Sequence, residues 1–191
     1  KKLRTYDGYK EDIYIADYIP NKRFTRLLPF KDYYVIRPEA LDCYYIEPGT
    51  IGIAKKITEE IVRKGENVVF LPRTNEDMRG IESEKVFIPE APLNGLDLIY
   101  HSKGVLTGSG TMAREGALLN IPSVSFFPSN ILLSVDESLI KKGLMIHSRN
   151  VQEIVDFLTR QPKKNRKQGY KNSMEVRKNF LNILESEIEI G

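Results

Sequence analysis

A chain of 191 residues, 41% hydrophobic and 29% charged, holds enough apolar material for one well-filled core and is not compositionally disordered. Its single cysteine excludes an internal disulfide framework, and one cysteine with two distant histidines argues against a built-in zinc site, so no metal and no cofactor is expected and a reducing, cytoplasmic setting fits. The net charge of +3 is uneven, because residues 160–178 carry eight Lys or Arg against one Glu.

In chain order, residues 1–31 come first. The run from Lys10 to Tyr18 mixes charges and aromatics and reaches Pro20 without a clear period, so it reads as an incoming strand or an interdomain linker. The chain opens at Lys1 rather than at a methionine, and no charged-then-apolar leader follows, which raises the expectation of a fragment.

Residues 32–159 read as a Rossmann-like α/β domain, a doubly wound parallel sheet. Short β-branched or aromatic runs alternate there with segments of helical period. The predicted strands are Tyr33 to Arg37, Asn67 to Leu71, Lys85 to Ile88, Gly104 to Leu106, Ser123 to Phe127 and Leu144 to His147. Several are apolar throughout, as strands covered on both faces must be. Between the first two, Ile53, Ile57 and Ile61 mark a helix over Thr50 to Lys64 that Gly65 can end. Ser134 and Asn150, each with a glutamate three positions on, predict two capping boxes. The uncharged run from Gly116 to Val135 is long enough to span a membrane, but Pro122, Pro128, Asn120, Asn130 and four serines break it into strand, turn and loop, so no transmembrane helix is predicted. Residues 160–191 read as a basic linker and an amphipathic helix through Tyr170, Met174, Leu181, Leu184 and Ile188, packed on something apolar.

The stretch richest in chemistry runs from Val105 to Pro122. A buried strand enters Gly108-Ser109-Gly110-Thr111, which opens a helix carrying Met112, Leu118 and Leu119. Such a turn presents free backbone N–H groups together with the positive end of the helix dipole, and its glycines let an anion come close. The competing reading is an ordinary turn capped by Ser or Thr. The lysine of a P-loop and the third glycine of a dinucleotide fingerprint are both missing, so neither motif is claimed. Arg37 and Arg73 each stand just past a predicted parallel strand, where a guanidinium suits a diphosphate or an acidic sugar, although a solvated or salt-bridged loop residue is the equal alternative.

The run from Gly108 to Glu115, followed by Asn120-Ile121-Pro122 and Ser125-Phe126-Phe127-Pro128, resembles the C-terminal, donor-binding half of GT-B sugar-nucleotide enzymes. In particular, with Lys10 to Tyr14, Arg37-Pro38-Glu39-Ala40 and Leu71-Pro72-Arg73-Thr74, it is similar to an uncharacterised archaeal and bacterial family related to UDP-N-acetylglucosamine 2-epimerases. The resemblance implies that Gly108, Ser109, Gly110 and Thr111 hold a diphosphate. It implies that Glu115, seven residues before Pro122, takes both ribose hydroxyls, and that backbone at Phe87 and Ile88 reads the base. A surface ion pair is the plain alternative for Glu115.

The function this implies is binding of a nucleotide sugar, most plausibly UDP-linked, for glycosyl transfer to a glycan or lipid-linked acceptor. The alternatives are sugar C2 epimerisation or hydrolysis, or a nucleotide-binding module without chemistry. A catalytic histidine is missing where the epimerases carry a His-Arg-Arg-Glu stretch and this chain has Ile36-Arg37-Pro38-Glu39, so no catalytic residue is named. GT-B enzymes also need an N-terminal domain, which makes this chain look like half an enzyme. Arg114 gives no clear direction. His101 and His147 read as satisfied residues at element ends, and Cys43 as inert. The basic segment offers Tyr170 alone for base stacking before Phe180, so a solvated linker is favoured over nucleic-acid binding.

Overall fold

The computed structural model describes residues 3–39, 52–129, 131–160 and 165–189. Six parallel strands form one sheet: β1 (Tyr34–Arg37), β2 (Val68–Phe70), β3 (Val86–Phe87), β4 (Gly104–Thr107), β5 (Ser123–Ser125) and β6 (Ile146–His147). Their order is β3-β2-β1-β4-β5-β6, so the chain winds outward from β1 in one direction, then restarts beside it at β4. All six predicted strands are present, shorter by a residue or more at most of their ends.

Side-chain alternation divides the core. Tyr34, Ile36, Val68, Phe70 and Leu106 pack on one face against α2 (Ile53–Arg63) and α6 (Val151–Arg160). Val35, Val69 and Val105 pack on the other against α3 (Gly95–His101) and residues Ile15, Leu119 and Tyr170. Burial on both faces is what the unbroken apolar strands require. Helix α4 (Gly110–Leu118) follows β4, and α5 (Ser134–Lys141) follows β5.

The helix ends follow from local chemistry. Gly65 has φ +85°, and its N–H donates to the Val62 carbonyl while Glu66 N–H reaches Ile61, which closes α2 as the sequence predicts. Asn120 does the same for α4 at φ +57°, with Ile121 N–H donating to Gly116 at 2.8 Å. Asn120-Ile121-Pro122 is therefore a helix stop that feeds directly into β5. Asn150 caps α6 by accepting from Glu153 N–H at 3.1 Å, but the Glu153 carboxylate takes the Ser148 hydroxyl, so the reciprocal half of the box is absent. Ser134 is the first residue of α5 and makes no cap; Leu133 occupies that position.

Three expectations are corrected. Lys10–Ile15 is a helix, α1, rather than an incoming strand. Its buried face includes Glu11 and Asp12 beside Ile15, so no apolar period announces it. Second, α3, capped by Asn94 accepting from Asp97 N–H at 2.9 Å, lies where no element was predicted. Third, α7 (Arg166–Glu189) already begins inside the expected basic linker. It packs on α1, yet Met174, Leu181, Leu184 and Ile188 are exposed. Of the predicted stripe Tyr170 packs inward, joined on the inner side by Ser173 and Val176. Positions 50 and 51, the predicted start of α2, lie outside the described residues, as does Cys43.

Candidate functional site

Strands β1 and β4 are neighbours, but the helix after β1 covers one face of the sheet and the helix after β4 covers the other. The chain therefore diverges at their carboxyl ends, where doubly wound sheets bind ligands. Arg37 and Thr107 are paired in register there, and Gly108 N–H donates to the Arg37 carbonyl at 3.0 Å. A Cβ on Gly108 would lie 2.5 Å from Cα of Glu39. Glycine is thus what lets the two loops touch.

Thr107 Oγ1 accepts from Ser109 N–H at 2.9 Å and pins the turn. Ser109 stands at the N-cap of α4 with extended backbone, but its side chain makes no capping hydrogen bond. The ordinary capped turn is therefore realised in position and not in bonding, and the first N–H groups of α4 are left without a side-chain cap. Thr111 is exposed beside them.

Arg37 and Arg73 are brought together. Arg37 is part-buried, and burial with the neighbouring Arg73 charge lowers its affinity for its proton. Arg73 donates from Nε to the Pro38 carbonyl at 2.8 Å, and Asp77 fixes its loop by accepting from the N–H groups of Arg73 and Thr74. Two like charges held at adjacent strand ends suit an anion between them. A cleft of about 270 Å³ lies next to these loops, bounded by Pro38, Glu39, Phe70, Glu76, Asp77 and Arg79 among others; neither Arg37 nor Arg73 lines it.

Glu115 sits one turn into α4; among the described residues it forms no close ion pair, although the Arg114 and Lys10 charges favour its ionised form. Its Oε1 accepts from the Tyr14 hydroxyl at 2.8 Å. Burial pushes its carboxyl pKa up, and the Tyr14 O–H works in the opposite direction. Phe87 and Ile88 lie at the end of the outermost strand on their side, with β2 between them and β1. Within the sheet they stand apart from the Gly108 turn.

Several residues at this edge escaped the sequence reading. Arg114 donates from Nε to Asp136 at 2.8 Å and from Nη1 to Glu11 at 3.0 Å, with all three side chains largely buried. Its Nη2 lies over Gly110, in the space a Cβ would need. A cation thus closes over the start of α4, balanced by carboxylates from α1 and α5. A groove of about 400 Å³ adjoins it, lined by Tyr9, Lys10, Glu11, Arg114 and Ser134 among others. Glu39 is 3% exposed; among the described residues its Oε1 has no hydrogen-bond partner and pairs with the Arg149 guanidinium at 4.0 Å. Burial raises its pKa. His101 is satisfied, with Nε2 2.9 Å from the Asn21 carbonyl. His147 differs from expectation: among the described residues its buried Nδ1 lacks a hydrogen-bond partner, and burial with the Arg149 charge lowers its pKa, favouring neutral imidazole. The only sequence signal for these contacts is the spacing of Glu11 and Tyr14, three apart, which has meaning only once α1 is known to be a helix.

Among the described residues no group of three or more His, Cys, Asp or Glu is placed to hold a metal ion. No helix there is long and apolar enough to cross a membrane.

Comparison with solved structures agrees with this architecture. The UDP-GlcNAc 2-epimerase from Methanocaldococcus jannaschii superposes with a TM-score of 0.61 at 19% identity, covering 91% of this chain and 52% of the epimerase. The same epimerase in complex with UDP-GlcNAc and UDP gives 0.60 at 15% identity, over 92% and 51%. The glycotransferase of kitacinnamycin gives 0.54 at 12%, over 78% and 41%. These likenesses establish a Rossmann-like fold of the GT-B type, and the chain spans about half the length of the two epimerase structures. By sequence, Uncharacterized protein MJ0665 of Methanocaldococcus jannaschii is 35% identical over 111 residues, which are 58% of this chain and 32% of that protein. The family model described as Protein of unknown function (DUF354) matches residues 5–187, and the chain belongs to that family.

Proposed function

We propose that this chain is the nucleotide-sugar-binding domain of a GT-B-type enzyme that takes a UDP-linked sugar and transfers it to a glycan or lipid-linked acceptor. The observation that carries the reading is the turn from Gly108 to Thr111. It stands at the point where the winding reverses, opens α4 without a side-chain cap, and faces the end of β1, where Arg73 donates to the carbonyl of Pro38, the residue after Arg37. In this reading the N–H groups of the turn and the two guanidiniums hold the diphosphate and stabilise its charge as it leaves. Glu115 accepts from the ribose hydroxyls, and backbone at Phe87 and Ile88 reads the base. Support comes from an epimerase of this fold in complex with UDP-GlcNAc and UDP.

C2 epimerisation through the same nucleotide site is the second reading, favoured by the recurrence of epimerases among the structural neighbours. Against it stands Ile36-Arg37-Pro38-Glu39 in place of a histidine-bearing stretch. Acceptor binding and the catalytic base are assigned to a further N-terminal domain.

The test is calorimetric titration of the chain with UDP, UDP-GlcNAc, GDP and ADP, repeated with Glu115→Ala. Uridine-selective binding that weakens about tenfold or more in the variant is the expected outcome, as for hydrogen bonds to a charged group. A folded chain that binds none of the four refutes the reading for this domain by itself.

A further inference from the structure

The Glu115 carboxylate is tied across to α1, about a hundred residues earlier in the chain, through the Tyr14 hydroxyl at 2.8 Å. Helix α1 is itself firmly seated. Glu11, one turn before Tyr14, pairs with Arg114 at 3.0 Å. Asp12 accepts from the buried Ser173 hydroxyl at 2.6 Å. Consecutive residues of α4, Arg114 and Glu115, are therefore each engaged by residues one turn apart on α1.

We infer that Tyr14 is a positioning residue for nucleotide recognition: it holds Oε1 of Glu115 so that the rest of the carboxylate is presented to the vicinal ribose hydroxyls of a nucleoside diphosphate. The inference rests on the nucleotide-sugar reading above. A glutamate side chain free to turn about its bonds must be ordered when ligand arrives, which costs conformational entropy. A side chain already held by Tyr14 meets that cost in the folded state. A carboxylate has about four lone-pair sites, so one tyrosine leaves capacity for two hydroxyls. The arrangement also preserves the acceptor. Burial favours the neutral carboxyl, which would present a proton to the ribose, and the Tyr14 hydrogen bond favours the carboxylate. Tyr14 keeps its own proton, because burial and the Glu115 carboxylate push its pKa far up.

The experiment compares wild type, Tyr14→Phe, Glu115→Ala and the double variant, each titrated with UDP and with inorganic pyrophosphate, which lacks ribose. The ratio of the two affinities reads the nucleoside contribution whatever fraction of the protein is folded. Expected are a threefold to tenfold loss of UDP affinity in Tyr14→Phe, unchanged pyrophosphate affinity, and no further loss when Tyr14→Phe is added to Glu115→Ala. The inference is overturned if Tyr14→Phe binds UDP like wild type while Glu115→Ala does not. It is also overturned if pyrophosphate weakens in step with UDP, or if Tyr14→Phe costs as much without Glu115 as with it, since each outcome makes the contact purely structural. Absence of UDP binding by folded wild type removes the nucleotide reading and this inference together, and is thereby distinct from the other failures.

Discussion

At the scale of single residues, the edge of the sheet holds one charge paired closely on two sides and another paired only at longer range. Arg114 lies between two carboxylates, and removing one member of so buried a set leaves an uncompensated charge, at a cost of about 3–5 kcal/mol. Glu39 is equally buried; among the described residues one of its oxygens lacks a hydrogen bond, and its ion pair to Arg149 is long, at 4.0 Å. Its pKa is raised by burial, so in the folded protein ionisation is harder than in the unfolded chain. At low pH both states are protonated and nothing is lost. Stability is lost as pH climbs from the unfolded value, about 4.3 for glutamate, through the raised folded one. Glu39→Gln removes that loss. Urea midpoints should therefore favour the variant increasingly from about pH 4 to pH 8, and the advantage should vanish below the ordinary carboxylate range. An advantage that stays constant across pH would mean that the Glu39 charge is not what differs.

At the scale of elements, legibility in the sequence followed the chemistry of the buried face. Strands β1, β2 and β4 were readable because Tyr34 to Ile36, Val68 to Phe70 and Val105-Leu106 are apolar on both sides, and α2 because Ile53, Ile57 and Ile61 repeat at helical spacing. Helix α1 hid because its inward residues are Glu11 and Asp12, whose partners Arg114, Tyr9 and Ser173 are scattered along the chain. The short α3 hid behind Pro92, Asn94 and Gly95, which read as loop and in fact form its approach, cap and first residue. The turn before α4 was legible as a glycine-bearing strand-to-helix turn. Its contact with the β1 loop was not, because nothing local in the sequence says that Gly108 meets Glu39. That contact is testable. A methyl group on Gly108 would fall 2.5–2.6 Å from N, Cα and Cβ of Glu39, mostly backbone that cannot swing aside. Gly108→Ala should therefore cost about 1–3 kcal/mol in urea unfolding, as overpacking does. A cost below about 0.5 kcal/mol would show that the β1 loop yields.

At the scale of the molecule, the two ends of the chain are laced together, and the lacing supports the site. Helix α7 packs along α1, with Tyr6 edge-on to Phe180, Gly8 beneath Val176, and the ion pairs Arg4–Glu187 and Arg177–Asp17 at the surface. Exposed pairs of this kind contribute little, typically under about 1 kcal/mol. The basic stretch that dominated the sequence is partly spent inside the fold, since Arg166 donates to the Ser102 carbonyl at 2.7 Å and Arg177 pairs with Asp17. The informative contact is the buried one. Ser173 is fully buried, and its hydroxyl donates to Asp12 at 2.6 Å, while Asp12 also accepts from Tyr9 N–H at the start of α1. Ser173→Ala leaves the Asp12 oxygen short of a donor where water is excluded, a loss of about 1–3 kcal/mol. Because α1 carries Tyr14, the same variant should also loosen the hold on Glu115. The expected result is a lower urea midpoint together with a UDP affinity that falls more than the pyrophosphate affinity. A fall in midpoint with both affinities unchanged would mean that α1 stays seated without the Ser173 hydrogen bond, through Arg114 and the burial of Ile15, and that the seam between the chain ends serves stability without reaching the site.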